Sequence, residues 1–125
     1  MRLNFRIRSQ VRLVHDSIDQ PLDLTDIRAL REALQADPTF DPHFDQLVEC
    51  RHTLPLRINR DEVAAAASSS IYAPASRRAI VAASDAAFGV ARMFQLMQPK
   101  GSQVAVFRST AEALAWLGLE PNALD

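Results

Sequence analysis

The sequence predicts an α/β fold, in which helices cover a mixed, mostly parallel sheet that begins with an N-terminal hairpin. The first eighteen residues alternate apolar and polar side chains, which is typical of half-buried strands. After them, segments with helical spacing of apolar residues alternate with short segments that are apolar on both faces. Strands of that second kind indicate a parallel sheet with helices packed on it.

The size and composition of the chain suit one globular domain, residues 1–125. The formal net charge is −1, so charge indicates neither a nucleic acid nor a membrane surface as a partner. We find no signal peptide and no apolar run of membrane-spanning length, so we expect a cytoplasmic protein without membrane insertion. Cys50 is the single cysteine, which rules out an internal disulfide and indicates a reducing compartment.

The N-terminal hairpin is predicted from two alternating stretches on either side of Ser9 and Gln10. One face of the first stretch is apolar and the other polar. The apolar residues are Leu3, Phe5 and Ile7, and the polar ones are Asn4, Arg6 and Arg8. Val11 and Leu13 resume the pattern. We expect the arginines to form a solvated face that blunts an edge strand. A nucleic-acid surface would also need aromatic platforms beside the charge.

A first helix is predicted after the loop at residues 19–23. Thr25 is the expected N-cap, and Asp26 in the first turn favours the positive end of the helix dipole. Four apolar residues at helical spacing should face the core: Leu24, Ile27, Leu30 and Leu34.

Two prolines end this helix, because a residue before proline avoids the helical region of backbone space. They follow Asp37 and Asp41. The side chains of Phe40 and Phe44 should then pack in the core and anchor the loop. Residues 46–51 read as a buried strand.

The second half of the chain repeats the pattern of helix and strand. Asn59 and Glu62 have capping-box spacing, so a helix should start near Arg60. Residues 78–83 form the clearest strand, and Ser84 caps the helix that follows. Residues 103–108 form another strand. Ser109 and Glu112 are expected to form a second capping box, for a helix that carries Leu114 and Leu117 and stops at Gly118.

Motifs for catalysis and cofactor binding are nearly absent. With three glycines in the chain, there is no glycine-rich phosphate loop, and there is no G-x-S-x-G elbow. Cys50 and His52 would share one strand face, and His43 or Asp45 could complete a metal site. A lone buried cysteine is more often a small hydrophobic residue, so we expect no metal, no cofactor and no Cys50 nucleophile.

Two polar segments have a functional and a simpler interpretation. Ser68, Ser69 and Ser70 could be phosphorylated, but added negative charge is disfavoured at a helix C-terminus, and a fraying end explains them. Arg77 and Arg78 could bind an anion. We favour arginines that are solvated or paired with nearby acids.

Three stretches resemble a family of small uncharacterised bacterial proteins with the SpoIIAA-like fold, also described as STAS-like or CRAL-TRIO-like. They are "LTDIRALREALQADPTFDPHFDQLVE", "SRRAIVAASDAAFGVARMFQ" and "VFRSTAEALAWLG", and the resemblance extends from Leu24 to Gly118. It implies a βα superhelix with a mixed sheet. Better-known relatives are anti-sigma-factor antagonists with a phosphorylatable serine. The corresponding stretch here has Thr53 as its one hydroxyl and lacks small residues, so we predict that Thr53 is not a phosphosite.

The helix over residues 85–98 is apolar on almost every side. At about 100° per residue, one stripe should face the core, and it consists of Ala86, Val90, Met93 and Met97, with Phe94 beside it. Phe88 falls on the opposite side, between Arg92 and Gln95. An aromatic beside an arginine is typical of an interface anchor. We therefore predict a protein contact through these three residues, most simply a two-fold homodimer.

The sequence favours a non-catalytic regulatory or protein-interaction module, because it shows no convergent polar site. A module that binds a small apolar ligand or lipid is the alternative, motivated by the lipid-transfer relatives and by the Phe and Met residues of one helix. An enzyme is the weakest hypothesis.

Overall fold

The computed structural model describes residues 3–51 and 57–125. These residues form five strands and four helices. A short 3-10 turn joins the first two strands, and helices and strands alternate after them. In chain order the elements are β1 (Leu3–Arg8), β2 (Leu13–Ile18), α1 (Leu24–Ala36), β3 (Asp45–Cys50), α2 (Arg60–Ser68), β4 (Arg77–Ala82), α3 (Asp85–Leu96), β5 (Gln103–Phe107) and α4 (Thr110–Trp116).

The strands form one mixed sheet in the order β1-β2-β3-β4-β5. β1 and β2 pair antiparallel, and each later strand is parallel to the one before it. The predicted α/β class, with a mostly parallel sheet and an N-terminal hairpin, is therefore confirmed. Arg12 closes the hairpin turn with a left-handed backbone, φ 55°, and its N–H donates to the Ser9 carbonyl.

Side chains of each strand point alternately to the two faces of the sheet. α1, α2 and α3 cover one side, which we call the cavity face, and α4 covers the other, the α4 face. Leu13, Leu47 and Ala79 are fully buried on the α4 face, whereas Val14 and Ile80 are buried on the cavity face. After its two arginines, β4 is apolar on both faces because both are covered there.

Side-chain caps place the helix starts, and two of the predicted caps need correction. α1 begins two residues earlier than a Thr25 cap implies, because Asp23 is the N-cap: Asp23 and Asp26 each accept the other's backbone N–H and form a capping box. Ser109 caps α4 by accepting from the Glu112 N–H, but the Glu112 carboxylate accepts from the Ser109 hydroxyl instead of its backbone N–H. The second capping box is therefore only half formed.

The other predicted helix caps and the predicted end of α4 are confirmed. Asn59 and Glu62 form a reciprocal box, and the Ser84 hydroxyl accepts from the Ala87 N–H. Gly118, at φ 75°, follows the last turn of α4. Phe44 is buried, and Phe40 packs against the same cluster.

The core-facing stripe predicted for α3 is wrong. Ala87 and Ala91 are the buried residues of this helix, whereas Ala86 is exposed. The other residues of the predicted stripe are only half-buried: Val90, Met93 and Met97. Alanines at the contact let the helix lie close to β4 and β5, so the small residues face the sheet and the large ones flank the contact.

Candidate functional site

A cavity of about 140 Å³ lies between the cavity face of the sheet and helices α1, α2 and α3. It is partly open to solvent, and most of its wall is apolar. The helices contribute aliphatic and small side chains, and the strands contribute isoleucine and valine. Among these apolar residues are Leu22, Leu30, Leu34, Val63, Ala66, Ile80, Ala87 and Ala91.

Three polar side chains reach this cavity from neighbouring strands. Asp16 is on β2, Gln46 on β3 and Arg78 on β4. Gln46 pairs with Arg78 across the ladder, and Asp16 pairs with Val48, two residues beyond Gln46. Because side chains two residues apart share one face of a strand, the three polar groups form a row across the sheet.

Asp16 is fully enclosed, with 1% of its surface exposed. Its Oδ2 accepts a hydrogen bond from the Gln46 amide, but its buried Oδ1 has no partner in the protein. Burial raises the pKa of Asp16 to about 7, although the Gln46 hydrogen bond and the positive charge of Arg31 oppose the shift. The carboxyl group is therefore partly protonated near neutral pH.

Arg78 is buried at 5% exposure, so the prediction of a solvated arginine is wrong at this position. Its Nη2 donates to the Gln98 Oε1 at 2.6 Å, and its guanidinium carbon lies 5.9 Å from the centre of the Tyr72 ring. Among the described residues, no carboxylate is within ion-pair distance of it. Burial, together with the charge of Arg31, lowers the pKa of Arg78.

Arg77, its neighbour in sequence, behaves as predicted. It points to the α4 face, where its Nη2 is 3.9 Å from the Asp45 carboxylate. Its guanidinium also donates to the Trp116 and Leu117 carbonyls at the end of α4. These adjacent residues of β4 therefore differ: Arg77 has an acidic partner, whereas Arg78 has none among the described residues.

Arg31, on α1, supplies a second positive charge at the cavity. Its guanidinium donates to the Ala66 carbonyl and to both oxygens of Ser69, at the C-terminal end of α2. It therefore holds the helix end that we expected to fray. Burial lowers the pKa of Arg31, and the negative charges of Tyr72 and Asp16, when ionised, act against this.

Tyr72, in the loop between α2 and β4, completes the polar group. Its hydroxyl is buried and has no hydrogen-bond partner in the protein. Its ring packs edge-on against Phe40 at 5.7 Å. Burial raises the pKa of Tyr72, and the charge of Asp16 adds to the effect, so the hydroxyl stays protonated and can donate.

These side chains form the convergent polar site that the sequence analysis did not find. Two arginines, a partly neutral acid, an amide and an unpaired hydroxyl meet in one apolar cavity. Such an arrangement can enclose an apolar body and hydrogen-bond to a polar group at one end of it. A charged residue on a strand face whose other residues are apolar, as for Asp16 between Val14 and Ile18 and for Arg78 beside Ile80, was the available signal.

A second buried polar cluster lies on the α4 face. Burial alone would raise the pKa of Glu49, but hydrogen bonds from Thr110, His15 and Arg51 outweigh it, so that the pKa is lowered. One carboxylate oxygen contacts His15 Nε2 and Arg51, and the other accepts from the Thr110 hydroxyl at 2.7 Å. Both oxygens are thus used within the protein.

The residues predicted to form an interface lie on α3 outside the cavity wall. Phe88 is half-buried beneath Arg108, whose guanidinium carbon is 4.0 Å from the ring centre. Arg92 is exposed and donates to the Gln95 Oε1, while the Gln95 amide donates to the Val104 carbonyl. The structure therefore brings Arg92 and Gln95 together, but Phe88 is covered by Arg108 and not by Arg92. Whether this surface binds a partner stays a prediction.

Cys50 lies on the cavity wall at the end of β3 and is half-buried. Burial raises the pKa of its thiol to about 11, which makes it a poor nucleophile at neutral pH. His43 is exposed beside Asp41. Within residues 3–51 and 57–125, no three His, Cys, Asp or Glu side chains are grouped so that they could hold a metal ion. His52 and Thr53 lie outside the described residues.

Comparison with protein-family models, curated proteins and solved structures gives no match for this chain. The SpoIIAA-like resemblance therefore stays a prediction. Among the described helices, none is both long and apolar enough to cross a membrane.

Proposed function

We propose that the protein binds a small apolar molecule in the cavity between the sheet and helices α1 to α3. The observation that carries the proposal is a cavity with apolar walls whose lining residues include buried polar groups without a protein partner. Asp16 Oδ1 and the Tyr72 hydroxyl both lack a protein partner, and an unpaired buried polar group is costly. A bound molecule would supply the missing hydrogen bonds.

The size of the cavity limits the ligand. At about 140 Å³, it compares with an engineered apolar cavity of about 150 Å³ that binds benzene. A body of one six-membered ring or a short branched chain fits such a space, whereas a long lipid chain needs more. We therefore favour a small ligand over a whole lipid. The sequence alone favoured a protein-interaction module over a ligand-binding one, because it showed no convergent polar site. The polar groups at the cavity reverse that preference.

The fold that we propose for this binding module is the SpoIIAA-like βα arrangement, with a cytoplasmic location. The sequential strand order and the antiparallel first pair support the arrangement. We propose no phosphorylation switch, because the family's serine motif is missing.

Toluene is a suitable first probe, because it has the size of the cavity and no polar group. We expect it to bind the purified protein with one site in isothermal titration calorimetry. Ala91, buried in the cavity wall, provides the test variant: Ala91→Leu should fill the space and abolish binding. Ala86→Leu, on the exposed side of the same helix, is the matched control and should bind as the wild type does.

The proposal fails if neither toluene nor a polar derivative of it binds to the wild-type protein. It also fails if Ala91→Leu, folded by circular dichroism, binds toluene as well as Ala86→Leu does. In either case the cavity is a packing defect without a ligand.

A protein contact through α3 is the second candidate, and the exposure of Leu96 favours it. Leu96 is 74% exposed, which is unusual for a large apolar side chain. Together with Phe88, Arg92 and Gln95 it could form the predicted two-fold homodimer. Light scattering after size exclusion, on wild type and Phe88→Ser at tens of micromolar, tests this. A monomeric wild type contradicts the homodimer.

A further inference from the structure

We infer that the ligand of this cavity is a small apolar carboxylate, with its carboxylate held by Arg78 and the Tyr72 hydroxyl. The inference rests on the proposed function and adds the chemical class of the ligand. Its starting point is that Arg78 is buried, at 5% exposure, without a carboxylate partner among the described residues.

The cavity carries more positive than negative charge. Arg31 and Arg78 line it, and Asp16 is the one acid among its described lining residues. A buried cation without a counter-ion is strongly unfavourable, because the interior does not replace its hydration. An anionic ligand would supply that counter-ion. The preceding residue, Arg77, is only half-buried and has an acid close by.

Hydrogen-bond donors for an anion are present as well. Arg78 uses its Nη2 for Gln98, and its remaining N–H groups have no protein partner. The Tyr72 ring lies beside the same guanidinium, with 5.9 Å between the guanidinium carbon and the ring centre, and the Tyr72 hydroxyl is unpaired. A planar guanidinium can bind a carboxylate through two parallel hydrogen bonds. Arg31 donates to the end of α2 and contributes mainly its charge.

Asp16 favours a carboxylate over a phosphate. A phosphate monoester would bring close to two negative charges into a cavity that contains a carboxyl group. A carboxylate brings only one negative charge into the cavity. A protonated Asp16 could donate a hydrogen bond to it through the oxygen that now lacks a partner. The groups that face Asp16 are Gln46, Arg31 and Tyr72. Of these, Gln46 and Arg31 carry no negative charge, and Tyr72 stays neutral.

The test compares benzoate with toluene, because the two share a ring and differ in the carboxylate. For wild type, we expect calorimetry at pH 6 to give tighter binding of benzoate than of toluene. Arg78→Met should weaken benzoate binding by about 10- to 100-fold, which is the usual effect of losing a hydrogen-bonded charge. It should leave toluene binding nearly unchanged. Arg60→Met, which removes an exposed arginine outside the cavity wall, is the charge-matched control.

Tyr72→Phe is a second variant that should fold normally, because the hydroxyl that it removes has no protein partner. We expect a loss of about 3- to 10-fold in benzoate affinity, as for a single hydrogen bond. Inorganic phosphate tests whether charge alone suffices, and we expect it not to displace benzoate.

The outcomes separate this inference from the proposed function. If toluene binds as tightly as benzoate, or if the Arg78→Met variant loses affinity for both alike, the carboxylate inference is overturned while the cavity remains a binding site. Displacement of benzoate by phosphate also overturns it. If neither probe binds wild type, both the inference and the proposed function fail.

Discussion

Two polar clusters, one on each face of the sheet, differ in whether their buried groups have partners. On the α4 face, His15 and Thr110 both contact the Glu49 carboxylate, so each of its oxygens has a partner. On the cavity face, Asp16 has one unpaired oxygen and Arg78 has no acidic partner in the described chain. Neighbouring residues of the same strands thus belong to a satisfied network on one side and an incomplete one on the other.

This difference separates structural polar groups from candidate functional ones. Burial alone does not distinguish them, because His15 and Asp16 are both buried. The distinguishing feature is a cavity next to the polar atoms that lack partners. A network that is complete within the protein needs no ligand, whereas an incomplete network in a cavity has both the space and the polar groups for one.

The largest expected effect concerns the satisfied network. Glu49→Ala should lower the free energy of unfolding by about 2 to 3 kcal/mol, because it leaves His15 and Thr110 without their partner. Urea denaturation at pH 7 measures this. Glu120→Ala, at an exposed position, is the control and should change stability little. A loss for Glu49→Ala as small as the control's would mean that the α4 face is not a structural network.

On the cavity face, Asp16→Asn should stabilise the protein at pH 8 by about 2 kcal/mol. The pKa of Asp16 is raised from 3.8 to about 7, so between those values the folded protein keeps a proton that the unfolded chain has lost. Stability therefore falls as the pH rises from 4 to 7, and the full cost remains above pH 7. Asparagine removes the charge and keeps an oxygen for the Gln46 amide.

The measurement is urea denaturation of wild type and Asp16→Asn at several pH values from 4 to 8. Exposed Asp19 supplies the control, Asp19→Asn, which should keep the wild-type pH dependence. A destabilised Asp16→Asn at pH 8 would mean that the ionised carboxylate is already satisfied, and the contrast between the two faces would disappear.

The smallest effect is expected at Cys50. Cys50→Ala should lower the free energy of unfolding by roughly 0.5 to 1 kcal/mol, because a side chain on the cavity wall has few contacts to lose. Thermal unfolding measures this. Bound toluene should also slow modification of the thiol by an aromatic disulfide. Equal rates with and without toluene would place the bound probe elsewhere.

The sequence predicted the fold well because strand and helix signals are local. The alternation in the hairpin, the Asn59 and Glu62 box and the proline-ended first helix all appear as expected. The orientation of α3 could not be predicted in this way, since a helix that is apolar on most sides has no single amphipathic stripe. Its contact with the sheet depends on the fit of Ala87 and Ala91.

The candidate site was harder to predict, because its residues come together only in the folded chain. Asp16 is far in the sequence from Tyr72 and Arg78, and the three residues form no motif. Strand alternation could place Asp16 and Arg78 on one face, but the pairing of β2, β3 and β4 was needed to align them. The hypothesis that Arg77 and Arg78 bind an anion therefore remains for Arg78 alone.

The most direct test of the account is a methyl NMR titration of the wild-type protein with benzoate. Isoleucine and leucine methyl groups report separately on the two faces: Ile18 and Ile80 line the cavity, while Leu47 and Leu114 are buried on the α4 face. We predict saturable shifts of the Ile18 and Ile80 methyl signals, with those of Leu47 and Leu114 nearly unchanged. Saturable shifts confined to the α4 face, or none at any benzoate concentration, would contradict the account.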